Sequence, residues 1–295
     1  MRKVLVIGRR NVGEKNDAFQ LAQAVGRTKA LEVEGAYFED LVVTSQVGGS
    51  DVLLHRSDDF VPLDTFTHVI LINWSHDRLY TDLAHSVAYV AARKGLTVWN
   101  KELLHARSST KVSQVVRLSY EDVSLPKTVF SLTSRLLKGH ISSLGAPFVA
   151  KDPLASRGRR NHLCKSWDDF TQQAQAVPYT LQQFIPNDAS DMRLFIAGGQ
   201  SALAILRKGS GDSHLNNISQ GATAELVPLG DLPQELLEAA AKVAGHFQRD
   251  LCGIDFMKNT DTGEYVFLEI NTTPQIVNGA FAEEKAAAIA QALMR

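Results

Sequence analysis

Gly253-Ile254-Asp255-Phe256-Met257 and Tyr265-Val266-Phe267-Leu268-Glu269-Ile270-Asn271, separated by Asn259-Thr260-Asp261-Thr262-Gly263, are two apolar runs around a turn-rich segment, a pattern that predicts an antiparallel hairpin. With the turn centred near Thr262, Asp255 falls opposite Glu269, and Cβ atoms so opposed lie about 4.5–5.5 Å apart. Side chains alternate between faces, so Asn271 joins Glu269 while Ile254, Phe256, Val266, Leu268 and Ile270 turn the other way. One face is core and the other acidic. Directly opposed carboxylates destabilise a sheet unless positive charge lies between them. Asp255, Glu269 and Asn271 are therefore candidate ligands for a hard cation such as Mg2+, which shares its shell with substrate phosphates. A solvent-facing hairpin with hydrated carboxylates is the other reading that the spacing leaves open.

Immediately upstream, residues 192–197, a Gly198-Gly199 turn and residues 201–206 read as a second hairpin. Asp191 and Arg193 share one strand face, and Arg207 ends the partner strand. A plain two-residue turn pairs Arg193 with Ala204 and aims Arg207 away from it. Either a bulge intervenes or the two arginines serve different surfaces. Further upstream, residues 148–151 and 179–185 read as strands, the latter stopped by Pro186. Lys151 precedes the small, basic loop 155–161, which places an ammonium and backbone N–H groups around a phosphate, or else leaves an exposed lysine beside a loop. Residues 232–248 and those from Glu283 onward read as helices.

The first hundred residues repeat a strand–helix grammar. Val4-Leu5-Val6-Ile7, a helix over 17–25, a strand over 68–72, a helix over 80–93 and a strand over 96–99 predict a small lobe of buried parallel strands. The fold class expected is α/β with α+β lobes, divided into an N-terminal lobe (1–100), a central lobe (101–187) and a C-terminal lobe carrying the acidic hairpin (188–295).

A chain of 295 residues is about twice the ~150 residues of one domain, which agrees with that division. Its 31 basic and 32 acidic residues give a formal charge of −1, which offers no broad field for nucleic acid or an anionic membrane. Cys164 and Cys252 stand alone, without disulfide or zinc spacing. The apolar run Val4–Ile7 is too brief for a signal segment, and no stretch approaches the roughly 20 apolar residues of a membrane span. A soluble, cytoplasmic protein is expected, with neither nucleic acid nor membrane as partner; oligomeric state is left open, a homo-oligomer included. There is no Walker A loop, and Gly8-Arg9-Arg10-Asn11-Val12-Gly13 only loosely imitates G-x-G-x-x-G.

The order of these features carries a resemblance. Lys111, Lys151 before a small-residue loop, Leu181-Gln182-Gln183-Phe184-Ile185, Asp191-Met192-Arg193, Asn216-Asn217, Gly253-Ile254-Asp255-Phe256 and Leu268-Glu269-Ile270-Asn271-Thr272-Thr273-Pro274 together resemble the ATP-grasp superfamily, in its branch of ribosomal-protein glutamate ligases and related peptide-modifying ligases. The resemblance spans roughly residues 100–280; the first hundred residues match only in style, as a small pre-ATP-grasp lobe. It implies that Lys111 and Lys151 contact ATP phosphates, that the Gln183-Phe184 backbone holds adenine, and that Asp191 sits near the ribose end. It implies further that Asn217 lies near the phosphates, that Arg193 and Arg207 stabilise the transferring phosphate or an acyl-phosphate, and that Asp255, Glu269 and Asn271 ligate Mg2+, with Mn2+ as a substitute.

The implied function is an ATP-dependent, ADP-forming carbon–nitrogen ligase that joins a carboxylate substrate to an amine acceptor through an acyl-phosphate. The acceptor is an amino acid, a peptide, or a protein terminus or side chain. Leu215, at a position where the family often has Arg, and a phosphate loop lean in glycine motivate a second reading: a catalytically silent nucleotide-binding scaffold or regulator.

Overall fold

The computed structural model describes residues 2–10, 17–28, 30–47, 49–57, 59–74, 77–105, 110–153, 160–174, 178–209, 223–272, 274–277 and 279–295. Asn217 and residues 155–159 of the basic loop lie outside them.

The N-terminal segment holds a four-stranded parallel sheet in the order β2-β1-β6-β7, from β1 (Arg2–Gly8), β2 (Leu31–Tyr37), β6 (His68–Leu71) and β7 (Thr97–Trp99). Helices α1 (Ala18–Val25) and α2 (Arg78–Arg93) cover opposite faces of this sheet. Asp17 caps α1 by accepting from the amides of Phe19 (2.9 Å) and Gln20 (3.0 Å), and Asp77 caps α2 in the same way. Alternation along β1 divides its wholly buried residues. Leu5 and Ile7 pack toward α2, and Val4 and Val6 toward α1, which is why the strand reads as a continuous apolar run. An antiparallel meander of β3 (Leu41–Gln46), β4 (Gly49–Arg56) and β5 (Asp59–Pro62) adds three strands that the sequence reading passes over.

A second sheet, ordered β10-β9-β11-β8, combines β8 (Thr128–Ser131), β9 (Phe148–Lys151), β10 (Asn161–Cys164) and β11 (Tyr179–Gln183). With α4 (Ile141–Leu144) and α5 (Trp167–Gln173) it encloses a core of its own around Phe148, Phe170, Tyr179 and Leu181.

The third sheet runs β14-β13-β12-β15-β16, from β12 (Ser190–Ala197), β13 (Gln200–Lys208), β14 (Thr223–Val227), β15 (Leu251–Lys258) and β16 (Tyr265–Asn271). One face packs on α6 (Gln234–Phe247) and includes Leu118 of α3 (Lys111–Leu118). A short 3-10 turn (Lys101–His105) precedes α3, which begins at Lys111. The opposite face of the sheet meets α7 (Ala282–Met294), and through it α1 and β1: Phe195, Ala197 and Leu251 share one core with Val4, Val6, Leu21 and Ile289.

Candidate active site

Two registers decide what faces what. Across the first hairpin Asp255 pairs with Glu269, as the spacing predicts, and Gly253 with Asn271. A shift between Asp255 and Phe256 then pairs Phe256 with Phe267. That bulge corrects one expectation: Phe267, not Leu268, joins Ile254, Phe256 and Ile270 in the core, and Leu268 is only half-buried. The second hairpin turns on Gly198 (φ 64°) and Gly199 (φ 77°), angles that favour glycine. A bulge between Phe195 and Ile196 sets Asp191 opposite Arg207 and Arg193 opposite Ile205. Of the two alternatives for the arginines, the bulged one holds, and both stand on one face.

Because β12 lies between β13 and β15, these side chains form a row of alternating charge. Arg207 Nε reaches Asp191 Oδ1 at 2.5 Å and its Nη2 reaches Asp255 Oδ2 at 3.0 Å. Arg193, paired in register with Asp255, donates Nε and Nη2 to the two Asp255 oxygens, each at 2.7 Å, a bidentate geometry. Asn271 Nδ2 donates to Asp255 Oδ2 (3.3 Å) and Glu269 Oε1 (3.2 Å). Lys111 Nζ stands 3.8 Å from Glu269 Oε2. The positive charge required between opposed carboxylates is thus supplied by the chain itself.

Burial grades the row. The side chains of Arg207, Asp191 and Asp255 are only 5, 8 and 4% exposed, whereas Glu269 is 32% exposed, so it is the member open to a ligand. Burial pushes the Asp191 carboxyl up to about 6 against the pull of Arg207. For Asp255 burial acts in the same direction, but Arg193 and Arg207 outweigh it and hold the carboxyl down to about 2. At Lys151, the end of β9, burial lowers the ammonium to about 8, with Glu269 pulling up and Lys111 down.

The donors fit a hard dication. Asp255, Glu269 and Asn271 converge on one point, and a half-turn of the Asn271 amide would present its oxygen there. Among the described residues no three His, Cys, Asp or Glu side chains form a metal-binding group. A cation shell here must therefore be completed by Asn271 and by phosphate or water oxygens.

Gln183 ends β11 of the second sheet. The Gln183 amide donates to the Lys127 carbonyl at 2.9 Å, so its N–H is engaged in extending the strand, and Phe184 follows, half-buried. Asp191, on β12 of the third sheet, is bound to Arg207.

Three features escape the sequence reading. Gln114, buried on α3, exchanges two hydrogen bonds with the backbone of Ile270, each at 3.1 Å. Lys285 is buried on α7 and donates to the carbonyls of Gln275 and Ala280, both at 2.7 Å; burial first, then Arg193 and Arg207, lower its ammonium to about 8. A polar residue on the apolar stripe of an amphipathic helix is the signal that marks both. Gly253 is the third: a Cβ there would lie 3.2 Å from Pro274 Cβ and 3.4 Å from Arg193 Cδ and Nε, so a methyl would press on Pro274 and meet the Arg193 side chain where it crosses β15.

Comparison with known proteins identifies the family. A family model described as a RimK-like ATP-grasp domain matches residues 106–294. The chain is 26% identical over 237 residues to the alpha-aminoadipate–LysW ligase LysX of Saccharolobus solfataricus, covering 77% of this chain and 82% of that one. It is 27% identical over 198 residues to a probable alpha-L-glutamate ligase of Teredinibacter turnerae, covering 65% of this chain and 64% of the relative, just under two thirds of its length. Among solved structures, the ATP-grasp ligase PsnB complexed with a phosphomimetic variant of minimal precursor, Mg and ADP superposes with a TM-score of 0.70 at 14% identity over 99% of both chains. A Chryseobacterium gregarium RiPP-associated ATP-grasp ligase, in complex with ADP and a leader and core peptide, superposes with 0.72 at 15% identity over 100% of this chain and 97% of that one. At these identities the two structures show a shared fold.

Proposed function

The chain belongs to the RimK-like ATP-grasp family, and on that premise we propose that it joins a carboxylate to an amine in an ATP-dependent, ADP-forming reaction. A carboxylate oxygen bonds to the γ-phosphorus as the bond to the ADP oxygen breaks. The amine then attacks the acyl carbon, phosphate leaves, and the nitrogen gives up a proton to form an amide or peptide bond. The observation that carries this reading is the row Asp191, Arg207, Asp255, Arg193, Asn271, Glu269 and Lys111, in which fixed cations and oxygen donors alternate on one sheet face.

Lys111 of that row and Lys151 of β9 bind the phosphates as ammonium ions, and Arg193 and Arg207 stabilise charge on the transferring phosphoryl group and the acyl-phosphate. Asp191 holds Arg207 in place and sits near the ribose end. Gln183 and Phe184 line the adenine seat, and Asn217 approaches the phosphates. Asp255, Glu269 and Asn271 hold Mg2+, or Mn2+ in its place, which when bound neutralises phosphate oxygens. Residues 1–100, 101–187 and 188–295 act as N-terminal, central and C-terminal lobes around this site. A relative named for alpha-aminoadipate and LysW, and neighbours solved with precursor peptides, support an amino acid, peptide or protein amine as acceptor. Nothing among the described residues favours a silent scaffold.

The test is acyl-phosphate trapping: protein, MgATP and a carboxylate panel are incubated with hydroxylamine, and hydroxamate and ADP are quantified. Stoichiometric hydroxamate and ADP are expected, both lost in Glu269→Gln. The absence of ADP with every carboxylate and amine combination tried would overturn the ligase reading.

A further inference from the structure

Ile270 lies between Glu269 and Asn271 on β16, the outer strand of its sheet. An outer strand leaves alternate peptide groups without a strand partner. At Ile270 both groups are taken by side chains instead. Its N–H donates to Gln114 Oε1 (3.1 Å), and its carbonyl accepts from Gln114 Nε2 (3.1 Å) and from Arg249 Nη1 (3.2 Å). Gln114 thus reproduces one peptide unit of a missing strand. It is 5% exposed and stands one helical turn from Lys111, so the contact that fixes the Ile270 peptide also fixes α3, and with it Lys111 beside Glu269.

We propose that Gln114 is a positioning residue for the metal–nucleotide complex: by clamping the peptide between Glu269 and Asn271 it sets the aim of both side chains and holds Lys111 against them. This rests on the reading of Asp255, Glu269 and Asn271 as cation ligands. Without the clamp, the Ile270 N–H loses its partner and the carbonyl keeps only Arg249, and the strand end relaxes by rotating about Ile270, which displaces the side chains on either side of it.

The test uses the full chain, with the non-hydrolysable ATP analogue AMPPNP as probe, titrated calorimetrically with Mg2+ and with EDTA. Gln114→Met removes both hydrogen bonds at similar volume. It is expected to weaken Mg–AMPPNP binding about tenfold, as loss of a ligand-orienting partner does, and metal-free AMPPNP binding by much less, through Lys111 alone. Equal loss in both titrations, or loss in neither, overturns the proposal. Gln114→Glu is the second variant: ionised, it repels the Ile270 carbonyl, and protonated it again both donates and accepts. Its affinity relative to wild type is expected to recover between pH 7.5 and 5.5, and an unchanged ratio overturns the proposal even where Gln114→Met does not fold. Glu269→Gln separates the two claims. If it binds Mg–AMPPNP as tightly as wild type, the cation-site reading has failed and not the role of Gln114 alone.

Discussion

Replacing Arg207 with Met tests whether the row of charges is a single electrostatic unit. Arg207 bridges Asp191 at 2.5 Å and Asp255 at 3.0 Å with its side chain 5% exposed. Asp255 keeps the two 2.7 Å hydrogen bonds from Arg193 when Arg207 is removed, whereas Asp191, 8% exposed, loses the guanidinium that faces it. Removing one member of a buried pair costs about 3–5 kcal/mol, mostly because the other charge stays buried. Arg207→Met is therefore expected to lose stability of that order, and Asp191→Asn in the same chain to recover at least half of it. Urea denaturation at constant m value measures both. The sign of the pH dependence follows from Asp191. Its folded-state carboxyl, at about 6, lies above the ordinary 3.8, so the folded state holds the proton more tightly. The stability this group contributes is full below about pH 3.8 and declines as pH rises toward 6. Without Arg207 that decline extends to higher pH, so the variant's deficit is expected to be larger at pH 8 than at pH 5. A double variant no more stable than Arg207→Met, or a deficit independent of pH, would refute the reasoning.

Two further outcomes follow from the same face. Lys151 titrates at about 8 in the folded chain against an ordinary 10.5, so its buried charge opposes folding below pH 8 and this penalty is relieved as pH rises from 8 toward 10.5. Phosphate favours the ammonium, so nucleotide affinity is expected to fall above pH 8. Binding at pH 8 should take up about half a proton, measurable by calorimetry in buffers of different ionisation enthalpy; Lys151→Met should abolish the uptake, and uptake that persists in it would exclude Lys151 as the source. Gly253→Ala crowds Arg193 Cδ and Nε at 3.4 Å and Pro274 at 3.2 Å. A small misplacement of a charge-stabilising group lowers turnover about ten- to a hundredfold, so steady-state kinetics should show kcat falling with little change in the ATP KM, and unchanged kcat would count against Arg193 as the group displaced.

What was legible in the sequence was what depends on short-range arithmetic. Asp255 meets Glu269 because period-two alternation and a central turn fix a hairpin register within a few residues. The bulge beyond Asp255 was not legible, since one extra residue in a strand changes neither composition nor turn signal, and it moved Phe267 into the core where Leu268 was expected. The second bulge decided the same question for Arg193 and Arg207, which the sequence had left as two alternatives. The β3-β4-β5 meander escaped because Val42 to Gln46 are exposed on both faces, so no alternation marks the strand. Gln114 and Lys285 each read as an interruption in an apolar stripe; what they bind is backbone, and for Gln114 that backbone lies 156 residues away.

The core that joins Val4, Val6 and Leu21 to Phe195, Leu251 and Ile289 has a consequence for how the molecule opens. The two ends of the chain are interleaved in one packed interior, so a fragment cut near residue 100 or 188 would expose that interior on both pieces. The sheet of β8 to β11, around its own core, shares none of it. Native-state hydrogen exchange should accordingly divide the chain into two cooperative units and not three: one made of both termini together, and one made of the middle, which carries Lys151 and can open without unfolding the rest.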